Sequence, residues 1–211
     1  MMLKGFFKGQ WLILLTILPF FLMPSVVLAE VPVPQTLIKN SSDRMQKALK
    51  ENKATIEKNP SFVYGLVDKI LLPNFDFSKM SKLALGKNWR KASTAQRERF
   101  IGEFRLLLVR TYSIAMLEFT DGDIIFLPFR GDLAKKKVKV KMEIARPNGP
   151  SIPMALSMYL SKQKKWMVYD VKIDGISLVT NYRSTFATEI RNDGMDKLIE
   201  NLSTRNQKVK L

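Results

Sequence analysis

Apolar residues in this chain recur first at helical spacing, then at alternate positions, then at helical spacing again. The clearest helical stretch is Ser93–Phe119, STAQRERFIGEFRLLLVRTYSIAMLEF. Ser93 followed by Gln96 makes a capping box at its start. Phe100, Phe104, Leu107, Leu108 and Thr111 form one stripe, and Ile101, Val109, Tyr112 and Met116 supply a second. One covered face needs only one stripe, so two predict apolar contact on two sides. Either the helix is central to the core, or one side of it faces a hydrophobic cavity.

Upstream, Thr36–Glu57 reads as one amphipathic helix carrying Leu37, Met45, Leu49 and Ile56, preceded by a mobile leader over 30–36. Pro60 is placed to start the next helix, Ser61–Leu72, and Pro73 ends it. Phe75–Trp89 is a shorter helical segment with Gly86 as C-cap. Between Asp123 and Asp174 the period becomes two. Ile124–Phe129 is an apolar run, and Val138, Val140, Met142 and Ile144 alternate with Lys137, Lys139, Lys141 and Glu143, the pattern of a half-buried strand. Arg146–Pro150 connects to a return strand with Ile152, Met154, Leu156, Met158 and Leu160 on one face, and Pro153 predicts an edge position or a bulge there. Trp166–Ile173 is the last strand. Ile176, Val179, Phe186 and Ile190 restore helical spacing, and Gly194 separates a final helix, Met195–Leu202. Helices, about four antiparallel strands, then helices make an α+β fold. One domain is expected over 37–203, with a polar tail over 204–211.

The N-terminus reads as an address. Lys4 and Lys8 precede an apolar run from Trp11 to Met23, and Val27 and Ala29 meet the small-residue rule for cleavage. An uncleaved anchor is the alternative, but the run is short for a span and ends in Pro24. Cleavage after Ala29 is therefore expected, which makes this an exported protein. Removing Lys4 and Lys8 from 35 basic residues leaves 33 against 19 acidic ones, a net charge of +14 for the remaining chain. That favours anionic partners, with lipid surfaces or acidic proteins ahead of nucleic acid.

Histidine and cysteine are both absent. That removes the Ser-His-Asp triad, the cysteine nucleophile, zinc ligation by imidazole or thiolate, and disulfides. Asp121 with Asp123, and Asp170 with Asp174, are conceivable carboxylate pairs, but turn formation is the plainer role for each. No catalytic residue, metal site or cofactor is expected. Lys137, Lys139 and Lys141 lie on the open sheet face, either as solvated edge protection or as an anionic docking surface. Met80, Met116, Met142, Met154, Met158 and Met167 fall mostly on apolar faces, where flexible thioethers fill irregular space.

Three stretches resemble one family. STAQRERFIGEF followed by RLLLVRTY, WMVYDVKIDGISLVTNYRSTFATEI followed by RNDGMDKLIENL, and FVYGLVDKILLPNFDFSKMSKLALGKNWRKAS are similar to the MlaC family, once grouped as toluene-tolerance proteins. The likeness spans about Leu37 to Leu202. It implies a curved antiparallel sheet and a helical layer enclosing a pocket, a nuclear-transport-factor or cystatin-like cone. It implies glycerophospholipid as cargo, carried between an outer-membrane lipoprotein complex and an inner-membrane ABC transporter with an MCE-type ring. Transient membrane contact and a monomer are expected. Pattern and implied fold together put the acyl chains against Phe104, Leu108, Tyr112 and Met116 on the long helix. Val140, Met142, Met154, Leu156 and Met158 would line them from the sheet, with Val179 and Phe186 behind. A periplasmic adaptor for an acidic protein, and a nuclear-transport-factor-like enzyme, are the rival readings.

Overall fold

The computed structural model describes residues 33–208, apart from 115, 118–121 and 147–148. The signal-peptide expectation, most of the Thr120–Gly122 turn and the centre of the Arg146–Pro150 connection lie outside the described residues. Helix α1 is Pro34–Glu51, α2 Lys53–Lys58, α3 Phe62–Ile70, α4 Phe77–Leu85, α5 Asn88–Lys91 and α6 Thr94–Ser113. Strands β1 (Ile124–Phe126), β2 (Lys137–Ile144), β3 (Ile152–Leu160), β4 (Trp166–Ile173) and β5 (Ile176–Ser177) follow, and α7 (Leu178–Lys208) closes the chain. Among the described residues no helix is long and apolar enough to cross a membrane.

Several boundaries differ from the sequence expectation. The helix predicted over Thr36–Glu57 breaks at Asn52, whose side chain donates to the Ala48 carbonyl. Residues 34–36, expected in a leader, already belong to α1, because Pro34 is accommodated in a first turn. Residues 204–208, expected in a tail, continue α7, where buried Asn206 donates to the Glu103 carbonyl at 2.9 Å. Inside α7, Gly194 takes φ 84°, ψ 172°, which interrupts the helix where the sequence placed a separator.

The five strands form an antiparallel meander in chain order. Asp174 (φ 48°) and Gly175 (φ 79°) make a two-residue hairpin between β4 and β5, with Ile173 opposite Ile176. That fifth strand was read as helix. Pro153 is not at an edge, since β3 lies between β2 and β4. Its carbonyl accepts from the Asp174 amide, so its nitrogen faces β4 beyond the last paired residue, Ile173, where no ladder donor is required. The β3–β4 irregularity falls at Ser157/Met158 instead.

Two edges are covered differently. Where β5 stops short, Phe75 bridges to Val168 and the Asp76 amide donates to the Val168 carbonyl at 2.8 Å. β1 is too short to cover Lys137–Lys139, and the lysines there blunt the exposed edge.

Apolar side chains pack in two clusters. The larger sets Val138, Val140, Leu156, Met158 and Val168 of the sheet against Phe100, Phe104 and Leu108 of α6, Phe186 and Leu202 of α7, and Met80 and Ala84 of α4. The smaller joins Met45, Leu49, Ile56, Val63, Val67 and Ile70 of α1–α3 to Val109 of α6. α6 therefore faces apolar material on two sides, as its two stripes predict.

Candidate functional site

α6 starts at a fully formed capping box, with Gln96 N–H donating to Ser93 Oγ at 3.2 Å and Ser93 N–H to Gln96 Oε1 at 2.9 Å. From that fixed start, Leu108, Val109, Tyr112 and Ser113 arrive at the seam between the two clusters. There the side chains do not close up, and a cavity of about 450 Å³ remains. Small-molecule sites run from roughly 300 to 1,000 Å³. α1 supplies Ile38, Ser41 and Ser42; α3 and the 3₁₀ turn after it supply Val67, Leu71, Leu72, Asn74 and Phe75. The sheet supplies Ile124, Met142, Ile144, Ile152, Met154, Leu156, Val171 and Ile173, and Phe77, Met80, Met116 and Leu178 complete the wall. None of these side chains is charged.

Six of the eleven expected tail-contact residues stand on this wall: Leu108, Tyr112, Met116, Met142, Met154 and Leu156. The other five, Phe104, Val140, Met158, Val179 and Phe186, lie off the wall in the packed core. Phe186 is fully buried with its ring edge-on to Phe100 (5.4 Å) and Phe104 (5.5 Å) and stacked on Tyr182 (5.3 Å). The aromatic set closes one end of the seam, so the space lies under the β2–β3 hairpin end of the sheet.

α1, α3 and the 3₁₀ turn were not expected on the wall. Their signal was available in the apolar spacing of Ile38 and of Val67 and Leu71, but spacing alone does not say what a covered face covers.

Polar groups on the wall are few. Ser41 donates to the Leu37 carbonyl at 2.9 Å and accepts from Asn74 Nδ2 at 2.9 Å. Burial first, then the neighbouring Tyr182 hydroxyl through its charge and its hydrogen bond, push the Tyr112 hydroxyl from 10 up to about 12. At pH 7 the wall is therefore uncharged among the described residues.

The acidic residues considered for chemistry have local roles. Asp170 accepts from Ser177 Oγ at 2.8 Å and from the Val179 amide at 3.2 Å, which fixes the start of α7. Asp174 sits in the hairpin turn, and the Asp123 carbonyl accepts from the Ala145 amide at 2.9 Å. Asp121 lies outside the described residues.

Lys137, Lys139 and Lys141 point away from the cavity, exposed between buried Val138, Val140 and Met142. With Leu127, Pro128, Arg130, Gly131, Lys135 and Tyr169 they line an open depression of about 600 Å³ whose one acid among the described residues is Asp132.

The MlaC protein family model matches residues 39–204. The chain is 28% identical over 170 residues to toluene tolerance protein ttg2D of Pseudomonas putida, covering 79% of this chain and 78% of that protein. It is 24% identical over 194 residues to the intermembrane phospholipid transport system binding protein MlaC of Haemophilus influenzae, covering 90% of each. Among solved structures, a phospholipid-binding protein from Ralstonia solanacearum, in complex with a phospholipid, superposes with a TM-score of 0.75 at 27% identity. That match covers 82% of this chain and 97% of the other.

Proposed function

The chain belongs to the MlaC family, and from that premise we propose that it is a periplasmic phospholipid carrier whose cavity holds glycerophospholipid acyl chains. The single observation that carries this reading is the uncharged apolar cavity between α1, α3, α6 and the sheet. The phospholipid in the Ralstonia solanacearum relative and the transport-system name of the Haemophilus influenzae one support the same ligand class.

The energetics favour a carrier. About thirty methylenes at ~0.8 kcal/mol each make roughly 24 kcal/mol relative to water. That exceeds the practical ceiling for affinity of roughly 18–21 kcal/mol. A bilayer, not water, is the reference: tails already out of water move into an apolar cavity at little net cost, in either direction. The barrier is tail exposure in transit, and docking lowers it. The reading therefore extends to shuttling between an outer-membrane lipoprotein complex and an inner-membrane MCE-type transporter, with Lys137, Lys139 and Lys141 as a docking face. No acid–base group is required.

The test is uptake of labelled phospholipid from donor vesicles and its delivery to acceptor vesicles. Saturable uptake supports the reading; protein that leaves the vesicle lipid untouched overturns it.

A further inference from the structure

The cavity wall carries three polar side chains with unspent donor capacity. Ser41, on α1, spends its hydroxyl proton on the Leu37 carbonyl. It must therefore accept from Asn74, which fixes the Asn74 amide with Nδ2 toward Ser41 and one Nδ2 hydrogen to spare. Ser42 is the next residue on α1 and also lines the cavity, yet among the described residues its hydroxyl has no hydrogen-bond partner. Ser113, on α6, is 1% exposed, lines the cavity and likewise has no partner. Helical serines can back-bond to the carbonyl one turn earlier, as Ser41 does. A hydroxyl without a partner in an otherwise apolar wall is free to donate to a ligand that enters beside it.

These donors are neutral, and among the described residues no lysine or arginine lines the cavity. A phosphate drawn into it would lose its hydration with no countercharge. A carboxylic ester carbonyl needs only a neutral donor, and in a glycerophospholipid the esters sit where the tails begin. Resting on the phospholipid reading above, we propose that the Ser42 and Ser113 hydroxyls and the Asn74 amide bind the ester carbonyls of the cargo, so that the cavity selects ester-linked chains while remaining indifferent to headgroup charge. A dialkyl ether lipid has the same tails and headgroup and lacks those acceptors. A site built to donate a hydrogen bond rejects the analogue that cannot accept it.

The experiment uses the full chain and vesicles of equimolar diacyl phosphatidylglycerol and its dialkyl ether analogue with identical chains. The lipid taken up is extracted and its ester-to-ether ratio read by mass spectrometry. Expected is a ratio of roughly ten for the wild type and about one for S42A/S113A, whose small substitutions leave the thermal midpoint nearly unchanged. Replacing phosphatidylglycerol by phosphatidylethanolamine leaves the wild-type ratio as it was. A wild-type ratio near one overturns the proposal, and so does a high ratio that the double variant retains. A wild type that takes up neither lipid refutes the phospholipid reading itself, a visibly different result.

Discussion

The Asp76 carboxylate accepts a hydrogen bond from the Tyr159 hydroxyl, tying the N-cap of α4 to the end of β3. The same carboxylate accepts from the Lys79 amide at 2.8 Å, and Lys79 Nζ lies 3.1 Å from the centroid of the Tyr159 ring. One acidic group thus fastens the helix that carries Met80 of the cavity wall to the sheet that carries Leu156.

This junction makes stability sensitive to alkali. The hydrogen bond to Asp76, and then burial, push the Tyr159 hydroxyl from its ordinary value of 10 to about 12. The folded value is the higher one, so the contribution is complete below pH 10 and is lost as pH rises toward 12. Burial lowers the Lys79 ammonium from its ordinary 10.5, which works in the opposite direction but below pH 10.5, ahead of the Tyr159 loss. Comparing Y159F with the wild type separates the two: thermal midpoints measured from pH 8 to pH 12 should fall less steeply with pH in Y159F. Parallel curves would remove Tyr159 from the account.

Wall and core residues should separate cleanly by substitution. Leu108→Asp puts a charge on the apolar wall and should reduce retained phospholipid by more than roughly tenfold. Phe186→Ala removes a fully buried ring away from the wall and should cost roughly 3–5 kcal/mol of stability. Its remaining folded fraction should bind lipid normally. Denaturant titration and lipid extraction on both variants check this, and lipid loss in proportion to instability in both would contradict it.

The reason for that separation also explains what the sequence could not tell. Phe104, Leu108, Tyr112 and Met116 follow one another at four-residue spacing along the helix predicted over Ser93–Phe119, and spacing alone does not rank them. The structure buries Phe104 against Phe186 and opens the seam only from Leu108 onward. On the sheet, register divides equally alternating residues in the same way. Met142 pairs with Met154 at the cavity end, whereas Val138 pairs with Met158 in the core. Periodicity identifies a covered face and says nothing of depth along it. The Ser93–Gln96 cap was legible because it is local; Ser42, Asn74 and Ser113 were not, because their role depends on elements far apart in the chain.

Gly194 holds a backbone conformation, φ 84° and ψ 172°, that side chains with a Cβ rarely adopt, although no atom lies within 4 Å of where a Cβ would sit. Strain, not crowding, therefore sets the cost. Gly194→Ala should destabilise by roughly 1–3 kcal/mol, read by denaturant titration, with lipid binding per folded molecule unchanged. A neutral or stabilising effect would mean the two parts of α7 can merge into one straight helix.

Reversing Lys137, Lys139 and Lys141 to glutamate alters a face pointing away from the cavity. Co-purified lipid and thermal midpoint should stay near wild type, while the salt-sensitive association proposed with an MCE-domain transporter complex should weaken. Binding assays across a sodium chloride series check this, because exposed charge pairs are screened over about 10 Å at 0.1 M salt. Unchanged association at low salt would leave these lysines the role of edge protection.

Native mass spectrometry of the purified protein, exposed to phospholipid vesicles where it arrives empty, tests the cavity most directly. A wild-type spectrum with glycerophospholipid bound, and a folded L108D spectrum without it, is the predicted result. A wild type that carries no lipid and acquires none from vesicles would contradict the account.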